Sequence, residues 1–177
     1  MTNKLKFFIG NWKMFGDFNS FKIIHKINEY VKKHKRSKNS KVVSALNQKL
    51  NIILCVGEKF IDRKKGKTFA VIRKQIKGSL EKKFNINKII LAYEPVWSIG
   101  TNKTPKAKDL KKIILFIKSI SKKIYKTKKI PRVLYGGSVT PRNIRIFSSI
   151  SEIDGFLIGG ASQSSKKFID IIKNYYK

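Results

Sequence analysis

Short apolar runs and longer amphipathic runs take turns along this chain, and that alternation limits its possible folds more than any other feature. The short runs are Leu5–Asn11, Asn51–Val56, Ile89–Tyr93, Arg132–Tyr135 and Ile153–Ile158. They are nearly continuous in Ile, Leu, Val and Phe, which marks strands covered on both faces rather than strands with one wet side. Between them the apolar period becomes that of a helix. Phe18–Lys35 sets Phe21, Ile24, Ile27 and Val31 about one turn apart, with lysines opposite. Thr68–Phe84 and Lys106–Tyr125 repeat the pattern, the second with Leu110, Ile113, Ile114, Ile117 and Ile120 in one stripe. Pro141–Ser149 and Ser165–Tyr176 read as shorter helices, and Pro105 and Pro141 stand where a first-turn proline is tolerated. Strand, helix, strand throughout predicts an α/β fold with a parallel sheet. No Gly/Ser/Pro-rich linker divides the 177 residues, so 1–177 reads as a single domain. Lys32–Lys41 is the one break in the period, a loop or a helix end running into one.

Charge narrows the partners less than it first promises. Lys and Arg number 41 against 10 Asp and Glu, a formal net charge of +31. One reading is a partner rich in negative charge: nucleic acid, an anionic membrane or a small anionic substrate. The other is codon bias, because Lys, Ile, Asn, Phe and Tyr are all read by A/T-rich codons. Composition leaves both open. The runs Lys122-Lys123 and Lys126–Lys129 fall on or just after polar helix faces, without the interleaved aromatics of a nucleic-acid surface. They read as solvated faces, and nucleic acid is not the expected partner.

Cys55 is the single cysteine, which excludes an internal disulfide. Its place in the run Ile52–Val56 predicts a small buried hydrophobe. No apolar stretch approaches the roughly 20 residues of a membrane span. Phe7-Phe8-Ile9 is too short for a signal-peptide core. The expectation is a soluble, cytoplasmic chain with no membrane partner.

Residues able to do chemistry gather just after the strands. Asn11-Trp12-Lys13 follows the first and Glu94-Pro95 the third, leading into Val96-Trp97-Ser98-Ile99-Gly100-Thr101. Gly136-Gly137-Ser138 follows the fourth and Gly159-Gly160-Ala161-Ser162 the fifth. Parallel α/β folds bind ligands at the carboxyl ends of their strands. Exposed N–H groups in Gly-rich turns that open helices favour an anion such as phosphate. With the Lys13 cation, the Ser138 hydroxyl and the Glu94 carboxylate, the set suits a phosphorylated small substrate and proton transfer.

Five blocks carry a family resemblance: Phe8-Ile9-Gly10-Asn11-Trp12-Lys13-Met14, Cys55-Val56-Gly57-Glu58, Ala92-Tyr93-Glu94-Pro95-Val96-Trp97-Ser98-Ile99-Gly100-Thr101, Tyr135-Gly136-Gly137-Ser138-Val139 and Asp154-Gly155-Phe156-Leu157-Ile158-Gly159-Gly160-Ala161-Ser162. In content and order the chain resembles the triosephosphate isomerase family. The resemblance implies a (β/α)8 barrel, here incomplete, that interconverts dihydroxyacetone phosphate and D-glyceraldehyde 3-phosphate in glycolysis and gluconeogenesis. It implies no metal and no organic cofactor, and a homodimer. Carried over by matched position, Glu94 is the proton-shuttling base and Lys13 supplies positive charge to the substrate and its oxyanion. Asn11 lines the same pocket. Gly100, Ser138, Gly159 and Gly160 hold the phosphate. Pro95 to Thr101, with Trp97, form a lid that closes over substrate.

The chain departs from that family in one region. A barrel of about 250 residues spends roughly 31 on each of its eight units. Glu94 and Gly159 stand about 65 positions apart, close to two units, but Lys13 and Glu94 stand about 81 apart where five units need about 155. The counterparts of the family's strands two, three and four are missing. With them go the His-Ser-Glu-Arg motif that carries the family's electrophilic histidine and the loop that locks two subunits together. His25 and His34 lie in the first helix and the lysine-rich stretch after it, and read as surface residues. Impaired catalysis follows as an expectation. About five strands cannot close an eight-stranded barrel at its usual tilt and shear. The alternatives are an open sheet with covered edges, a smaller distorted barrel, or assembly with a second chain. Two other functions stay in view: a non-catalytic phosphate-binding remnant, told apart by substrate turnover, and a basic nucleic-acid-binding protein, told apart by steep salt dependence.

Overall fold

In the computed structural model, residues 7–10, 51–80, 85–126 and 129–176 are described. Five strands carry the architecture: β1 (Phe7–Gly10), β2 (Ile52–Val56), β3 (Ile89–Tyr93), β4 (Arg132–Tyr135) and β5 (Gly155–Ile158). All their pairings are parallel, and the order across the sheet is β1-β5-β4-β3-β2. Each expected strand is present, some with trimmed ends. The last begins at Gly155 rather than Ile153 because Asp154 meets its neighbour partly through its side chain. Its carboxylate accepts the Val133 N–H at 2.9 Å and the Lys118 ammonium at 2.6 Å.

Helices connect the strands: α1 (Phe60–Lys64), α2 (Thr68–Ser79), α3 (Ala107–Tyr125), α4 (Ile144–Ser148) and α5 (Ser165–Tyr176). Single 3-10 turns stand at Ile86–Lys88 and Gly160–Gln163. The short α1 was not expected; it has no buried residue and so no apolar period to read. The helix predicted over Thr68–Phe84 ends at Ser79, where Leu80 turns extended. The one predicted over Pro141–Ser149 starts regular helix only at Ile144. Before it, the Thr140 N–H donates to Asn143 Oδ1 at 2.8 Å and the Asn143 N–H to Thr140 Oγ1 at 3.2 Å. These side chains satisfy the first turn's donors themselves. The predicted helix Phe18–Lys35, the break at Lys32–Lys41, and both histidines lie outside the described residues.

Both faces of the sheet carry buried apolar residues, as the continuous apolar runs predict. Leu91, Tyr93, Val133, Tyr135, Phe156 and Ile158 face the helices and join the stripes of α2, α3 and α5 in one core. Ala92, Leu134 and Leu157 face the other way, with Ile53 and Ile90 partly buried beside them. The stripe expected on α3 is buried from Leu110 to Ile120, while Lys111, Lys112, Lys122 and Lys123 on its far side are exposed. Those lysines are a solvated face. Among the described residues no helix is long and apolar enough to cross a membrane.

Among the described residues, β1 pairs only with β5 and β2 only with β3, so no ladder closes the ring. The described residues thus form an open parallel sheet, an incomplete barrel. The open side overturns one expectation. Cys55 is exposed rather than buried. It pairs with Ala92 and shares the inner face with it, but it sits on β2, the outermost described strand on that side. An apolar run predicts burial only where the strand has neighbours on both sides.

Candidate active site

Parallel pairing brings the residues that follow β2 to β5, namely Gly57, Glu94, Gly136 and Gly159, to one end of the sheet. The Glu94 N–H makes a last ladder bond to the Val56 carbonyl at 2.8 Å, and the Gly136 N–H makes one to the Tyr93 carbonyl at 2.8 Å. Both flanking glycines are required by Glu94. A Cβ at Gly57 would collide with the Glu94 carbonyl. One at Gly136 would stand 2.5 Å from Glu94 Cγ and 3.0 Å from its Oε1. The half-buried carboxylate therefore lies across the bare backbone of the next strand's turn. Gln75 of α2 fixes Gly57 from outside, its amide accepting the Gly57 N–H and donating to the Gly57 carbonyl, each at 2.9 Å.

A methyl group at Gly136 has nowhere to go without moving the Glu94 side chain. Gly136→Ala is expected to displace the Glu94 carboxylate and with it to lower turnover at least about 10-fold, with a smaller change in thermal stability. Steady-state rates and melting curves on the one variant check both halves.

After Glu94 the chain makes a loop, Pro95 to Asn102, tied down at two points. The first tie is Glu58, 0% exposed. Its carboxylate accepts the Trp97 indole N–H at 2.9 Å and the Tyr93 hydroxyl at 3.1 and 3.2 Å. Arg63 brings the compensating charge at 3.8 Å, lies over the Trp97 ring at 4.7 Å, and reaches Asp109 at 3.3 Å. A buried carboxylate needs such partners to remain charged. The second tie is Ser98, also 0% exposed, whose hydroxyl meets the Lys103 carbonyl, the Tyr135 hydroxyl and the Ser138 N–H. Beyond the ties, Gly100 at φ +70 and Asn102 at φ +59 hold left-handed bends, and Thr101 Oγ1 donates back to the Trp97 carbonyl at 2.9 Å.

The two tyrosines at this end titrate abnormally. Burial pushes Tyr135 up to about 12, and burial together with the adjoining Glu58 raises Tyr93 further. The folded protein keeps phenolic protons that the unfolded chain releases near pH 10, so the folded state binds more protons above that pH. Stability is therefore complete below pH 10 and lost as pH rises through 12. For Tyr135 alone the loss is roughly 2–3 kcal/mol. A melting-temperature scan from pH 8 to 12 should show this fall, and Tyr135→Phe should make it shallower.

Of the residues expected from sequence, Glu94, Ser138, Gly159 and Gly160 lie at the same end of the adjacent strands β3, β4 and β5. Gly100 is on the loop leaving that end, exposed. Ser138 is half-buried, its carbonyl accepting from the Asn143 side chain at 3.1 Å. A Cβ at Gly159 or Gly160 would meet nothing within 4 Å, so that turn borders open space. Asn11 and Lys13 lie outside the described residues. Among the described residues no three His, Cys, Asp or Glu side chains cluster as metal ligands.

Sequence reading named Glu58 only within a block of resemblance and Ser98 only as one residue of the expected lid, and passed over Arg63 and Gln75. Glu58 did carry a signal, an acid directly after a strand in a chain with only ten acids. Nothing singled Ser98 out within that lid, since its partners Lys103, Tyr135 and Ser138 are assembled only by the fold.

This arrangement has close relatives. Triosephosphate isomerase from Dictyoglomus thermophilum is 47% identical over 141 residues, 77% of this chain and 56% of the relative. The Clostridium tetani enzyme is 40% identical over 151 residues, 83% of this chain and 59% of the relative. The crystal structure of triosephosphate isomerase from Bartonella henselae superposes with a TM-score of 0.67 at 35% identity, covering 77% of this chain and 55% of that one. The chain thus spans somewhat more than half the length of its relatives. The triosephosphate isomerase family model matches residues 27–175, a stretch that contains Glu94, its loop and both Gly-rich turns, and the chain belongs to that family.

Proposed function

We propose that this chain is a single-domain triosephosphate isomerase of the cytoplasm, interconverting dihydroxyacetone phosphate and D-glyceraldehyde 3-phosphate. The observation that carries the reading is the position of Glu94: a carboxylate at a strand's C-terminal end, laid across Gly136, with a tied loop directly behind it. In this reading Glu94 takes the proton from the carbon beside the carbonyl and returns it to the neighbouring carbon through an enediol(ate). The Gly100, Ser138, Gly159 and Gly160 backbone, with the Ser138 hydroxyl, holds the phosphate end. By family resemblance, Lys13 and Asn11 are assigned to the oxygen on which negative charge develops. Family kinship at 40–47% identity supports the same reaction class. It also supports a homodimer.

The test is a coupled isomerase assay on the purified full chain, run in both directions. Turnover that scales with protein and saturates with either triose phosphate supports the reading. Binding of triose phosphate without turnover would replace it with a phosphate-binding remnant.

A further inference from the structure

The Ser98 hydroxyl uses every hydrogen-bonding capacity it has. Its one proton goes to the Lys103 carbonyl, on the far limb of the loop. Two lone pairs remain for acceptance. One faces the Tyr135 hydroxyl at 3.1 Å. Tyr135 titrates only near 12, so at neutral pH it is a phenol with a proton to give. The other lone pair accepts the Ser138 N–H at 3.2 Å. Gly137 leaves room for this meeting, because a Cβ there would stand 2.6 Å from Ser98 Oγ.

Ser138 belongs to the turn read above as a phosphate holder, and an N–H aimed at one acceptor is not available to another. We propose that the Ser98 hydroxyl is an internal occupant of the phosphate site. It holds the Ser138 N–H until phosphate takes that donor over, which makes anion binding at the turn and release of Ser98 from it one event. Ser98 is thus a positioning residue that couples the loop behind Glu94 to the phosphate turn. The inference rests on the phosphate reading of Ser138.

The displaced bond is a neutral hydrogen bond between partly buried groups, so its exchange weakens apparent phosphate affinity by about 3- to 10-fold. The experiment is a titration of the full chain with inorganic phosphate, followed at the Ser138 amide by nitrogen-proton NMR, in wild type and Ser98→Ala. Amide hydrogen exchange at Ser138 is measured without phosphate. Ser98→Ala is expected to bind phosphate 3- to 10-fold tighter and to speed Ser138 exchange about 10-fold. A merely structural role for Ser98 would instead weaken binding. Tyr135→Phe keeps the Ser98–Ser138 bond and is expected to stay within about 2-fold of wild-type affinity. Equal tightening in that variant would overturn the inference, since general loosening would then explain it. Unchanged exchange in Ser98→Ala, or faster exchange without tighter binding, would overturn it and leave the phosphate reading standing. Absence of phosphate binding in every protein would remove both.

Discussion

Replacing Glu94 by Gln should lower isomerase turnover by about 10²–10⁴-fold, the usual contribution of a positioned general base. The substitution keeps the shape of the side chain, so the contact with Gly136 that orients it survives. The main-chain bond from the Glu94 N–H to the Val56 carbonyl is untouched. What is lost is the capacity to accept a proton from carbon. The effect should therefore appear in kcat and kcat/KM together, with phosphate affinity nearly unchanged, the pattern of an interaction made only in the transition state. Glu58 supplies the internal contrast. It is also a carboxylate just after a strand, but Tyr93, Trp97 and Arg63 surround it, and it is wholly buried. Glu58→Gln should act by loosening the loop at Trp97, with a change in melting temperature alongside any change in rate. A Glu94→Gln protein with wild-type turnover would show that another group is the base.

The second large effect concerns the oxyanion. Removing a proton next to a carbonyl leaves negative charge on oxygen, and fixed donors aimed at that oxygen are often the largest catalytic contribution. Loss of one such donor costs on the order of 10²–10³ in turnover. The His-Ser-Glu-Arg motif that the resemblance leads one to expect is not present in this sequence, whose two histidines are His25 and His34. In the proposed reading, Lys13 and Asn11 are the residues matched by resemblance that remain for this role. The full chain is accordingly expected to turn over at least about 10²-fold more slowly than a family member that carries the histidine motif. The comparison needs both enzymes in one assay, with the mass of the active species fixed by sedimentation. A full-strength rate from a verified monomer would mean that another side chain of this protein has taken over the donor's role. A full rate from an assembly would point to a donor lent by a second chain.

The strand runs, the α3 stripe and the gathering of polar and Gly-rich residues at the strand ends were legible because each depends on residues close in sequence. A period of two or of 3.6 residues, a Gly-Gly turn and an acid after an apolar run need no knowledge of what lies across the molecule. Glu94 was legible for the same reason, together with a block resemblance that places Pro95 and Trp97 behind it. Contacts made across the sheet were not legible. Glu58 meets Tyr93 and Trp97 from 35 and 39 positions away, and whether that makes it a reacting acid or an anchor depends on those contacts. Ser98 looks like any loop serine until Tyr135 and Ser138 are brought beneath it. Gly57 and Gly136 look like ordinary turn glycines until Glu94 occupies the space where a Cβ would stand. Cys55 misled because hydropathy reports a residue's preference for burial, while exposure depends on which strands lie beside it. Neighbours in sequence settled the elements and the residue types at the strand ends; neighbours in space settled the open edge among the described residues and the different surroundings of two carboxylates. The physical reason is that propensity and pattern are summed along the chain, whereas burial and hydrogen-bond pairing are shared between segments the chain brings together only on folding.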